Sequence, residues 1–132
     1  MHAMSAFEIE SWEEEPYDER EGVKLTRTRL TKAFRGDIEG ESAAELLMAY
    51  GSEEGSTAYV GFERVNGSVN GQQGSFILHH NATSDGPRGE RSSALSVTPD
   101  SATGELRGMR GEASISVEPD CGHPFTLDYE FE

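Results

Sequence analysis

The 132-residue chain is long enough for one domain to bury a core of its own. Its 25 Asp and Glu against 11 Lys and Arg give a net charge of −14, which argues against nucleic acid and membranes as partners, because anionic surfaces are bound mainly through basic side chains. The single cysteine excludes an internal disulfide, and no apolar run near the N-terminus suits a signal peptide or a membrane span, so we expect a cytoplasmic protein.

Eight segments alternate polar and apolar residues with a period of two, which is the pattern of strands that bury one face. In the first segment Phe7 and Ile9 share one face and Trp12 takes the other. In the last, apolar side chains fill every second position from Phe125 to Phe131. We expect residues 1–5 to be a disordered tail. The predicted strands cover residues 6–14, 23–34, 38–50, 57–65, 74–81, 90–98, 111–118 and 125–131.

The third segment is ambiguous, because residues 43–48 are good helix formers. We interpret the segment as a strand, since Gly40 and Gly51 interrupt a helix at either end and the neighbouring segments are strands. Two connections are also predicted here. Residues 15–22 read as a polar connector, and Asn66-Gly67 is a strong hairpin signal after the fourth strand.

Short connections between successive strands favour pairing of sequential neighbours, and closing the sheet removes its exposed edges. We therefore predict an all-β fold, an eight-stranded antiparallel up-and-down barrel, as a single domain over residues 1–132. No convincing helix is present. The interior of such a barrel is just wide enough to be filled by side chains or to hold one small ligand.

Five short motifs are distinctive in combination: SWEEEPY at 11–17, GDIEG at 36–40, GFER at 61–64, GSFILHH at 74–80 and TGELRGMRG at 103–111. Together they resemble those of a bacterial family of unknown function, whose members are expected to share the allene oxide cyclase-like barrel, a calycin- or dirigent-like shape. The resemblance spans residues 7–131. The segment 101–111 is also similar to the Gly-rich turn of plant allene oxide cyclases and dirigent proteins. The resemblance implies cofactor-free chemistry, in which a largely apolar barrel steers a reactive molecule through cyclisation or coupling.

Glu63 and His80 are the candidate catalytic residues. If Phe76 and Leu78 face the lumen, His80 does too, and Glu63 on the preceding strand could orient it. A carboxyl and an imidazole in an apolar cavity suit general acid and base catalysis, because burial moves their pKa values toward neutrality. In the alternative, Glu63 pairs with Arg64 or an arginine of a neighbouring strand and His80 only caps the barrel rim.

The remaining candidates line the predicted cavity. Glu45 is a second buried acid if the Leu47 face points inward, and a surface residue otherwise. Trp12 either covers the outer face at an oligomer contact or turns into the mouth of the lumen. The predicted ligand-binding residues are Tyr59, Phe76, Leu78, Tyr129, Glu45 and Trp12.

We predict no metal site and no cofactor. His79 and His80 point to opposite faces of a strand and cannot bind one ion together. Cys121 and His123 lack a second ligand pair with zinc-like spacing. Acidic neighbours also make Cys121 a poor nucleophile.

Two functional hypotheses follow. In the first, the barrel binds a small hydrophobic ligand and acts as a cofactor-independent isomerase or cyclase. In the second, the lumen is filled and the domain is a non-catalytic structural or interaction protein. Under either hypothesis we expect a homo-oligomer, because related barrels associate through their outer sheet faces.

Overall fold

Eight antiparallel strands follow one another around a closed barrel, each hydrogen-bonded to its sequence neighbours and the last to the first. The computed structural model describes residues 1–86, 88–115 and 123–132. The predicted all-β up-and-down barrel is confirmed. The strands are β1 (His2–Arg20), β2 (Val23–Gly36), β3 (Ile38–Tyr50), β4 (Thr57–Val69), β5 (Gln72–Asp85), β6 (Glu90–Val97), β7 (Met109–Ile115) and β8 (His123–Phe131).

Helical structure within the described residues amounts to one 3-10 turn, Gly104–Leu106, which lies in the Gly-rich segment before β7. No helix there is long and apolar enough to cross a membrane. The third strand has the predicted bounds, so the helix-forming residues 43–48 are extended, because pairing with β2 and β4 overrides their local preference.

Three local predictions were wrong. Residues 2–5 are ordered, since β1 begins at His2 and pairs with β8 from there to Phe7. The proposed connector 15–22 is strand as far as Arg20, and the turn lies at Glu21-Gly22, both with positive φ. Asn66-Gly67 lies inside β4, whose turn to β5 is Asn70-Gly71.

Gly67 is needed for a close approach of two strands and not for a turn. It faces Gly40 of β3, and the two residues have φ of +155° and +148°. A Cβ atom on either residue would collide with the backbone of the facing strand. The pair therefore lets the sheet bend sharply, as closure of a small barrel requires.

The lumen is divided into two halves. The packed half is a continuous apolar core that includes Phe76 and three rings that meet edge to face or at a tilt, those of Phe7, Phe34 and Phe125. The other half, called the upper half below, holds a smaller cluster built from Leu30, Ala44 and Leu46, with Met48 and Tyr59 packed against it. A layer of charged and polar side chains lies between the halves: Lys32, Ser42, Glu63 and His80.

Candidate functional site

The polar layer is centred on the carboxylate of Glu63, which is completely buried. Its Oε1 atom lies 2.7 Å from Nε2 of His80 and 3.1 Å from Nζ of Lys32, while the Ser42 hydroxyl donates to Oε2 at 2.5 Å. Strands β2 to β5 supply one residue each, because all four positions lie on the lumen face of their strands. The predicted pairing of Glu63 with His80 is present, and the partner cation is Lys32, not an arginine.

Glu63 is ionised. Burial by itself raises the pKa of this carboxyl, but the hydrogen bond to His80, the charge of Lys32 and the Ser42 hydroxyl together lower it to about 2. Glu63 therefore cannot serve as a general acid near neutral pH, and the expectation that burial would move its pKa toward neutrality was wrong. Its role is to hold its neighbours in place.

The ionised carboxylate fixes the tautomer of His80. A carboxylate only accepts hydrogen bonds, so the hydrogen shared with Glu63 belongs to Nε2. In a neutral imidazole the other nitrogen, Nδ1, then carries the free electron pair. Within the described part of the chain Nδ1 has no hydrogen-bond partner. In this arrangement the Nδ1 atom of His80 can accept a proton while the carboxylate of Glu63 holds the ring in place.

His80 opens onto a cavity of about 180 Å³ in the upper half of the lumen. The walls are mainly apolar, and Tyr59 lies against His80 with ring centroids 6.5 Å apart. Burial first, and then the charge of Glu63, raise the pKa of Tyr59, so its hydroxyl stays a hydrogen-bond donor. The cavity is lined by Phe7, Ile9, Trp12, Leu30, Lys32, Ala44, Leu46, Met48, Tyr59, His80, Ile115 and His123.

Trp12 reaches this cavity because of an irregularity in β1. A register shift between Ile9 and Ser11 adds one residue to the strand, so Phe7 and Trp12 both pair with lumen-facing residues of β2, Phe34 and Leu30. The alternation in the sequence had placed the two side chains on opposite faces. Of the two alternatives for Trp12, the mouth of the lumen is therefore the one observed, and its indole is 47% exposed there.

A hydrogen-bonded cluster at the rim holds Trp12. Its Nε1 atom donates to Glu14 at 3.3 Å, and the same carboxylate accepts from the hydroxyls of Tyr50 at 2.5 Å and Thr26 at 2.7 Å. Burial alone raises the pKa of Glu14, but these three hydrogen bonds outweigh burial and lower it. The cluster ties β1 to β2 and β3 at the mouth of the lumen.

The other predicted lining residues lie elsewhere. Phe76 and Leu78 face the lumen as expected but are fully buried in the packed half, away from the cavity. Tyr129 belongs to the same core, and its hydroxyl accepts a hydrogen bond from Asn70. Glu45 lies on the outer face, near Arg27 and Arg29, because Leu46 and not Leu47 points inward.

Besides apolar wall residues, three polar residues of the buried layer and the cavity wall were not among the predicted ones. Lys32 and Ser42 hold Glu63, and the ring of His123 lines the cavity and stacks on Phe7 at 4.8 Å. A signal for Lys32 was present: it is a charged residue in the same phase as Leu30 and Phe34 of β2. A charge in the apolar phase of a strand requires a buried partner.

Within the described ranges, no cluster of three or more His, Cys, Asp or Glu side chains is placed to hold a metal ion. His79 does point outward, where it stacks on Phe62. Cys121 and residues 116–118 of the predicted seventh strand lie outside the described residues.

Comparison with known proteins identifies relatives without an assigned activity. The family model described as a protein of unknown function (DUF3224) matches residues 3–129. The crystal structure of a protein with unknown function from the same family in Shewanella oneidensis MR-1 is 32% identical, with a TM-score of 0.85 and coverage of 100% of this chain and 98% of that one. No curated protein matches the chain. The likeness to allene oxide cyclases stays a prediction.

Proposed function

This chain belongs to the DUF3224 family of proteins of unknown function, and we propose that its barrel binds a compact, mainly apolar molecule and catalyses a cofactor-free proton transfer on it. The observation that carries the proposal is the position of His80, which lines a mainly apolar cavity while ionised Glu63 holds Nε2 and no described residue bonds to Nδ1. Buried acid–base pairs beside a cavity are the usual mark of a reactive site.

The size of the cavity limits the ligand. A dry apolar cavity of about 150 Å³ can hold benzene, and the cavity beside His80 measures about 180 Å³. Pockets for drug-sized ligands are larger, roughly 300 to 1,000 Å³. We therefore infer a ligand of one ring or a similar bulk, and not a long polyene chain.

The proposed reaction is an isomerisation by proton transfer. His80 Nδ1 takes a proton from carbon, and the resulting imidazolium is stabilised by the Glu63 carboxylate. The imidazolium then returns the proton to a different atom of the same molecule. The apolar walls formed by Leu30, Leu46 and Met48 hold the intermediate beside His80 between the two transfers.

Trp12 supplies a direct test of binding. It is the only tryptophan in the chain and lines the cavity, so its fluorescence reports occupancy without a label. Titration with toluene should change the Trp12 emission saturably. Ala44→Leu should fill the cavity and abolish the change, whereas Ala43→Leu, on the exposed face of the same strand, should leave it intact. The absence of a saturable change in the wild type would contradict the proposal.

Proton transfer is tested with cyclohexanone, a one-ring compound with acidic C–H bonds. In D2O the wild type should accelerate deuterium uptake at the carbons next to the carbonyl, as followed by proton NMR. His80→Gln should remove the acceleration while leaving the toluene response of Trp12 in place. Equal exchange rates for the two proteins would show that His80 is not the base.

The outer surface supports the second candidate, an interaction role. Leu47, Val60 and Phe62 lie side by side on the outer face of β3 and β4 and are 45 to 56% exposed. Such a face suits association with another copy of the chain. Light scattering at micromolar concentration should then show an oligomer that Phe62→Lys dissociates. A monomer would contradict this candidate and leave the cavity proposal untouched.

A further inference from the structure

We propose that Lys32 is the oxyanion-binding group of this site and that the substrate is a compact carbonyl compound with an acidic hydrogen on the carbon next to the carbonyl. This inference rests on the proposed function, because it concerns the same cavity. It assigns to Lys32 a second role besides its ion pair with Glu63. It also specifies the chemical class of the ligand, which the proposed function left open.

The position of Lys32 supports this role. Its side chain is 6% exposed and lines the cavity, with Nζ 3.1 Å from Glu63 Oε1 and 4.2 Å from the centre of the Phe7 ring. An ammonium group has three hydrogens to donate. Glu63 accepts one and the face of the Phe7 ring attracts a second. The third has no acceptor within the described part of the chain, and an oxygen of a molecule in the cavity can take it.

The two donors are held close together by one acceptor. Nε2 of His80 and Nζ of Lys32 both contact Oε1 of Glu63, at 2.7 and 3.1 Å. A base and an ammonium group are therefore neighbours on the same cavity wall. Abstraction of a proton next to a carbonyl needs this combination, because negative charge moves from carbon to the carbonyl oxygen as the proton leaves.

The charges also favour a carbonyl substrate over a hydrocarbon. Glu63 and Lys32 neutralise each other before the reaction, so a proton taken up by His80 adds one positive charge beside a mainly apolar cavity. An enolate supplies the matching negative charge and places it on oxygen, where Lys32 can donate to it. A hydrocarbon would leave that charge on carbon, without a hydrogen-bond partner.

The step is balanced without a co-reactant. The free electron pair of His80 Nδ1 takes the proton, and the C–H bonding pair becomes the new carbon–carbon double bond of the enolate. The carbonyl π pair moves to oxygen, which accepts a hydrogen bond from Lys32. The imidazolium then returns the proton to oxygen or to a conjugated carbon, which gives the isomer and restores neutral His80.

The test uses two one-ring probes of similar shape. 4-Nitrophenolate carries a planar oxyanion like an enolate and absorbs visible light, unlike the neutral phenol, whereas 4-nitroanisole cannot ionise. Wild-type protein should bind both, and it should favour the phenolate so that bound 4-nitrophenol ionises at a lower pH than the free compound. The net charge of −14 opposes this preference, so any preference reflects the cavity itself.

Two variants isolate Lys32. Glu63→Gln keeps the ammonium group and should retain the preference for phenolate. The double variant Lys32→Met with Glu63→Gln removes both charges, so that no buried charge is left alone, and it should lose the preference at least tenfold, about the effect of one hydrogen bond to a charged group. Binding of 4-nitroanisole reports whether each variant retains its cavity.

The outcomes separate the two proposals. Binding of both probes without a preference for the phenolate, or a preference that persists in the double variant, would overturn the role of Lys32 and leave the cavity site intact. Binding of neither probe by the wild type would overturn both proposals. A phenolate preference that is present in the wild type and in Glu63→Gln, but lost in the double variant, is the result that the structure predicts.

Discussion

Nε2 of His80 lies 2.7 Å from Oε1 of Glu63, and the two side chains are 7% and 0% exposed. The contact joins neighbouring strands at the boundary between a filled and an open half of the lumen. Barrel closure brings Lys32 to the same carboxylate from the other side. The result is a charged layer that stabilises the fold only while it stays complete, and that places His80 on the cavity wall.

Glu63→Gln should destabilise the protein by about 3 kcal/mol, because removing one partner of a buried ion pair leaves the Lys32 charge uncompensated. Urea denaturation measures the change. Glu45→Gln is the matched control, since Glu45 is 54% exposed and its contacts with Arg27 and Arg29 are 3.7 Å long. The control should change stability by less than about 1 kcal/mol. Equal effects of the two substitutions would show that the buried ion pair contributes no more to the free energy of unfolding than an exposed one.

The stability contributed by Glu63 should disappear in acid. Burial tends to raise its pKa, but its hydrogen bonds and Lys32 bring it from the ordinary 4.5 to about 2 in the folded protein. A lowered folded pKa means that this stability is fully present above about pH 4.5 and is lost as the pH falls toward 2. The difference in unfolding free energy between wild type and Glu63→Gln should therefore shrink over this interval. A constant difference would contradict the assignment.

Tyr50 should resist ionisation in alkali. Burial, and then its hydrogen bond to Glu14 and the charge of that carboxylate, raise the pKa of Tyr50 to about 12. Its contribution to stability should be fully present below pH 10 and should be lost as the pH rises through 12. Alkaline titration of tyrosinate absorbance should show a group with a pKa of about 12 that is missing in Tyr50→Phe. Identical titration curves would contradict the prediction.

The alternation of residues predicted the barrel because each strand obeys it for most of its length. The bounds of β3 followed from that pattern together with Gly40 and Gly51. The pattern also placed His80 on one face with Leu78, and the structure shows that this face points inward. The face of Trp12 could not be predicted, because a one-residue register shift reverses the faces beyond it, and such a shift depends on how β1 pairs with β2. Strand pairing also explains the wrong prediction for Asn66-Gly67. This dipeptide favours turns, but here it lies within β4, where Gly67 allows two strands to approach closely.

The candidate site was predicted in part. Glu63 and His80 could be placed on one face, but whether the carboxyl would be neutral or ionised depended on Lys32, which lies 31 positions earlier in the chain. Which face Glu45 occupies could not be predicted from the sequence. Residues 45 and 47 and residues 46 and 48 form two comparable alternating sets, and only the pairing of β3 with β2 and β4 decides which set is buried.

The position of His80 in a ligand-binding cavity is tested most directly by a nitrogen-15 NMR spectrum of the histidine rings during titration with cyclohexanone. His79 and His80 are adjacent in sequence, but the ring of His79 stacks on Phe62 on the outer face and His80 lines the cavity, so His79 is an internal control. We expect a saturable shift of the His80 ring nitrogens with His79 unchanged. No shift of His80, or parallel shifts of both rings, would show that His80 does not contact a bound ligand.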